Sequence, residues 1–74
     1  MSIVEVFRTT VGSHHEAARL TAELRQRFPT WRISFDLDDC DNILRVAGEG
    51  IGGPEIREII ALLSRREHTC VALE

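Results

Sequence analysis

Phe28-Pro29-Thr30-Trp31-Arg32-Ile33-Ser34-Phe35-Asp36-Leu37-Asp38 is where the chain changes period. Before it, apolar residues recur every three or four positions, at Ala17, Leu20, Leu24 and Phe28, which is one face of a helix. From Trp31 they alternate instead, Trp31, Ile33, Phe35 and Leu37 against Arg32, Ser34, Asp36 and Asp38, which is a strand with one buried and one wet face. Pro29 stops the helix, because it offers no N–H to the helical ladder. Charges along the wet side suit a strand at or near the edge of its sheet.

Moving outward toward the C-terminus, Asp38-Asp39-Cys40-Asp41-Asn42 is dense in turn formers, and Ile43-Leu44-Arg45-Val46-Ala47 resumes strand character. The two runs form a hairpin. Gly48-Glu49-Gly50-Ile51-Gly52-Gly53 then breaks the chain, and reads as a flexible connector. Pro54 suits the first position of a second helix and Glu55 complements its dipole. Ile56, Ile59, Ile60 and Leu63 are its apolar stripe, Arg65 and Arg66 its end, and Thr69 to Leu73 a last strand. Toward the N-terminus, Ser13 and Glu16 have the S-x-x-E spacing of a reciprocal capping box. Arg19, Glu23 and Arg27 form a solvated charge ladder on the first helix, and Ile3 to Phe7 is a first strand.

The order is strand, helix, strand, strand, helix, strand, which predicts an α+β chain with the ferredoxin-like β-α-β-β-α-β plan. Right-handed crossovers place both helices on one face of an antiparallel sheet ordered 4-1-3-2. Val4, Val6, Leu44 and Val46 are expected to face the helices. Ile3, Phe7, Ile43 and Ala47 are expected on the open face, with Glu5 and Arg45 as a cross-strand pair. An apolar patch there points to self-association.

At 74 residues the chain is one domain, near the lower size limit for a core without disulfides or metals. Hydrophobic residues at 43% and charged residues at 28% exclude a disordered tail. A net charge of -3, with basic residues spread over several elements, weighs against binding nucleic acid. Neither a basic leader nor a run long enough to span a membrane is present, so a cytosolic location is expected. Cys40 and Cys70 lack the spacing of a disulfide scaffold or CxxC site and read as free thiols, Cys70 in the core.

The proposed topology gathers three loops at one end: Thr9 to His15, Asp38 to Asn42 and Ser64 to His68. His14, His15, Asp38, Asp39, Cys40, Asp41 and His68 lie there, all able to bind a divalent or soft ion. Turn chemistry and an exposed first helical turn account for the same residues without a metal. The glycine-rich connector precedes a helix start, but Glu49 and Glu55 repel an anion and no phosphate-binding motif is present. No catalytic dyad or triad can be placed within reach, which argues against an enzyme.

With Leu20 and Leu24 set on the first-helix core positions, Thr10-Val11-Gly12-Ser13-His14-His15-Glu16 falls in register with the G-M-x-C-x-x-C loop of the heavy-metal-associated domain family, which the whole chain resembles. Val11 stands for the methionine, and Ser13 and Glu16 stand for the two cysteines. Glu5-Val6-Phe7-Arg8-Thr9 and the stretch from Phe35 to Arg45 are similar to short bacterial proteins allied to that family, which implies a free-standing bacterial cytosolic protein. Two functions follow from the resemblance. One is a metal-handling module that replaces the cysteine pair with a set drawn from His14, His15, Glu16, Cys40 and His68, for a transition-metal ion such as Cu, Zn or Ni. The other is a metal-free interaction or oligomerisation module, a homodimer through the open sheet face or an edge strand, or the receptor of a protein partner.

Overall fold

A computed structural model describes residues 1–73. Its elements are β1 (Ile3–Thr9), α1 (His14–Arg27), β2 (Arg32–Asp36), β3 (Ile43–Gly48), α2 (Gly53–Arg65) and β4 (Cys70–Leu73). The chain is α+β, with two helices and one four-stranded sheet in the order β2-β3-β1-β4. Every neighbouring pair is antiparallel. The two edges are therefore β2 and β4.

Each helix starts and stops for a local reason. Ser13 takes an extended backbone and its Oγ accepts the Glu16 N–H at 3.3 Å. At the other helix, Gly52 has no side chain to offer, and Glu55 reaches back so that its Oε1 accepts the Gly52 N–H at 2.9 Å. Pro54 sits in the first turn of α2, where its missing N–H is not needed. Phe28 caps the end of α1, directly before Pro29, and stacks on Trp31 with ring centroids 3.9 Å apart.

One core lies between the sheet and the helices. Phe7, Leu20, Leu24, Leu44, Val46, Ile59 and Leu63 are fully buried within it, each side chain contributing about 1.5–3 kcal/mol by leaving water. Ala17 and Ile33 belong to the same cluster, and Phe28, Phe35, Leu37, Ile56 and Ile60 pack against it.

The register corrects the expected faces of β1. Residues directly opposite in an antiparallel pair project to the same side, and Phe7 lies opposite the buried Leu44, Glu5 opposite Val46 and Ile3 opposite Gly48. Phe7 and Ile3 are thus on the helix side, whereas Val4, opposite Ala47, and Val6, opposite Arg45, are on the open face. Glu5 and Arg45 lie on opposite faces and make no pair. The reason is size and partner: the Phe7 ring fills the core beside Leu44, and Val4 is left 61% exposed.

The segment between β3 and α2 is tied down rather than slack. Ile51 is buried in the core, and the Trp31 Nε1–H donates to the Glu49 carbonyl at 2.9 Å. Gly50 adopts a left-handed backbone, φ 76°, which glycine takes without steric cost. At Gly48 a Cβ would stand 2.5 Å from Trp31 Cδ1, so the indole occupies the space that a larger residue would claim.

Candidate functional site

Three loops meet at one end of the sheet, and two threonines knot them. The Thr9 N–H reaches the carbonyls of Asp41 and Asn42, both at 3.2 Å, and the Thr10 N–H donates to the Thr69 carbonyl at 3.2 Å. The buried Thr9 hydroxyl donates to the Asn42 carbonyl at 2.6 Å and accepts the Val11 N–H at 3.1 Å. Thr10 Oγ1 accepts the Thr69 N–H at 2.9 Å and lies 3.3 Å from His68 Nδ1. Apart from Val11, the partners of Thr9 and Thr10 are far away in the chain, so nothing in their spacing signals these roles.

Of the five expected ligands, two come together. His68 Nε2 lies 3.5 Å from Glu16 Oε1, with both side chains mostly buried. The other ring nitrogen already faces the Thr10 hydroxyl, so His68 has no free lone pair for an ion without breaking one of these contacts. Glu16 is turned toward His68, and no bond from its carboxylate back to the Ser13 N–H is formed among the described residues; the capping box is made in its forward half alone. His14 and His15 are exposed on the first turn of α1.

Cys40 is placed elsewhere. Among the described residues, one set of three candidate ligands has its donor atoms within 4.8 Å of one another, and it is Asp39, Cys40 and Asp41, all exposed. One of these aspartates, Asp39, is occupied in turn chemistry. Asp39 Oδ1 accepts the Asp41 N–H at 2.8 Å, and Asp36 Oδ1 accepts the Asp38 N–H at 3.2 Å. Asn42 closes the turn in a left-handed conformation, φ 50°. No three of His14, His15, Glu16, Cys40 and His68 converge within that distance.

Both cysteines are free, Cys40 exposed and Cys70 buried. Burial pushes the Cys70 thiol up to about 12, so it stays protonated at neutral pH and offers no thiolate to a soft metal.

The open face of the sheet has a different character. Three rows cross it: Arg32, Ala47 and Val4; Ser34, Arg45, Val6 and Leu73; Asp36, Ile43, Arg8 and Val71. Val4 is 61% and Val71 48% exposed. Arg8, Arg32 and Arg45 are exposed, and none joins an ion pair among the described residues. The ion pairs present lie elsewhere: Arg27 with Glu58 and Arg66 with Glu23 link the two helices, and the N-terminal ammonium approaches Glu49. The hydrogen bond and charge of Arg27 hold the Glu58 carboxyl below its usual range. No helix among the described residues is long and apolar enough to cross a membrane.

Comparison with protein-family models, with curated proteins and with solved structures finds no significant match to this chain.

Proposed function

We propose that this chain is a ferredoxin-like domain of the heavy-metal-associated kind that has dispensed with the metal and works as a protein-interaction or oligomerisation module. The order β2-β3-β1-β4 and the alternation of strands and helices support the ferredoxin-like assignment. The observation that carries the function is the open face, where Val4 and Val71 stand exposed beside three arginines outside any described ion pair. Exposed apolar area bordered by unpaired charge is a surface suited to a partner. The chain is read as a bacterial cytosolic protein, neither an enzyme nor a nucleic-acid binder.

A metal-handling reading has one observation of its own, the approach of Asp39, Cys40 and Asp41 donors to within 4.8 Å. It requires an ion to compete with the Asp41 N–H for the Asp39 carboxylate. A competition titration of reduced, chelator-stripped protein with Cu(I), Zn(II) and Ni(II), with light scattering on the same samples, separates the two. The interaction reading expects binding no tighter than that of an unrelated histidine-bearing control and an association state unmoved by chelator. Saturable one-to-one binding at submicromolar affinity, lost in Cys40→Ser, overturns it.

A further inference from the structure

We infer that β2 is the contact strand of a two-fold symmetric dimer, in which the edges of two copies pair antiparallel about Ser34 and continue the sheet from one molecule into the next. The inference rests on the interaction reading above and names its partner, a second copy of this chain.

β2 is the outer strand of the sheet, and its register with β3 runs from Arg32↔Ala47 to Asp36↔Ile43 without a bulge. It contains no proline and no lysine, and the two charges it carries, Arg32 and Asp36, are of opposite sign, so they do not repel a reversed copy of the same strand. One row of its backbone N–H and carbonyl groups is left without a strand partner.

Its sequence, Arg32-Ile33-Ser34-Phe35-Asp36, is self-complementary when reversed. Arg32, Ser34 and Asp36 are exposed on the open face, whereas Ile33 is buried and Phe35 half-buried on the core side. Side-chain alternation therefore forbids any pairing that sets an even-numbered residue against an odd-numbered one. Of the two-fold registers that remain, pairing about Ser34 uses all five residues, and those about Ile33 or Phe35 use three each. In the full register Arg32 of each copy stands opposite Asp36 of the other, and Ile33 opposite Phe35. Opposite charges and an aromatic beside a β-branched residue are the favourable cross-strand pairs.

Two further observations agree. Arg32 and Asp36 belong to no ion pair among the described residues, and Asp36, whose Oδ1 accepts the Asp38 N–H, keeps its second carboxylate oxygen for the other copy. A groove alongside β2 is lined by Arg25, Pro29, Trp31, Arg32, Ile33 and Ser34, and the second copy's Phe35 stands at it next to the Ile33 it opposes. Two five-residue edges and two rings fall short of the ~1,200 Å² of a standard interface, so the dimer forms and dissociates with concentration.

A charge-swap cycle tests the register, read by sedimentation equilibrium over a concentration series. Arg32→Asp alone, and Asp36→Arg alone, each set like charges opposite one another twice per dimer, and each is expected to raise the dissociation constant about tenfold. The double swap restores the dimer. Mixing the two single variants also restores it, as a heterodimer with both charge pairs intact. Because Asp36→Arg removes the hydrogen bond from the Asp38 N–H, thermal melts of every variant verify folding, and the mixing arm reports on pairing whatever local effect each change has. A wild-type chain that stays monomeric throughout overturns the inference, as does a dimer that no swap affects; the latter leaves the interaction reading standing, since a dimer through another surface satisfies it. Stoichiometric submicromolar metal binding would overturn that reading by itself.

Discussion

The two faces of the sheet are made by the same four strands, yet they obey different rules. On the helix side Phe7, Leu44 and Val46 are fully enclosed, and close packing leaves no freedom in size or position. On the open side Val4, Val71 and three arginines meet no neighbouring layer, so what is tolerated there is set by solubility and by whatever docks. β1 contributes to both, one residue in and one out. The contrast teaches that in so small a domain one face supplies the stability and the other is free to carry a function.

The sharpest way to break that contrast is to exchange the expected weights. Phe7→Ala should cost about 3–5 kcal/mol in a urea titration, enough to leave a domain of this size largely unfolded; a loss below about 1 kcal/mol would mean that the faces of β1 are reversed. Next comes Gly48→Ala, which thrusts a methyl group against the Trp31 ring. The expected loss is about 1–3 kcal/mol, since overpacking forces either the indole or β3 to move, with a shift in tryptophan fluorescence as the local sign.

A third test uses pH. Cys70 lies on the helix side opposite Thr9, and burial raises its thiol from 9.0 to about 12. Above the unfolded value the unfolded chain releases this proton while the folded chain keeps it, so the unfolded state binds fewer protons and stability falls as pH rises. The Cys70 contribution is complete below 9.0 and lost by about 12. Cys70→Ala should flatten that part of the decline in alkaline urea titrations; an unchanged slope removes Cys70 as its source. In the folded protein at neutral pH, a thiol reagent should modify the exposed Cys40 and leave Cys70 intact until unfolding. Smallest of all, Val4→Ala on the open face should change stability by no more than about 0.5 kcal/mol. A larger loss would show that a partner copy buries it.

The helices and the hairpin were legible because their periods are unambiguous. Trp31 to Leu37 offers one buried parity and no other, and Leu20 and Leu24 stand on a single helical face. β1 was not legible in this way. Ile3, Val4, Val6 and Phe7 put two apolar residues on each side, so local pattern cannot choose, and the choice falls to the register with β3. The candidate site was half legible. Topology brings the three loops to one end, but the contacts within them depend on distances that no spacing encodes. Glu16 has the sequence position of a capping partner and turns to His68 instead, and Thr9 and Thr10 tie the loops through hydroxyls that look ordinary in a sequence.

The indole that fills the space above Gly48 has a practical side. Trp31 is the chain's one tryptophan, and there is no tyrosine. The ring is 8% exposed, stacked on Phe28 and bonded to the Glu49 carbonyl, so a single chromophore registers the joint between the end of α1, the start of β2 and the end of β3. Its emission is a built-in gauge of that corner, readable without any label, and it stands beside the strand through which a second copy is expected to arrive.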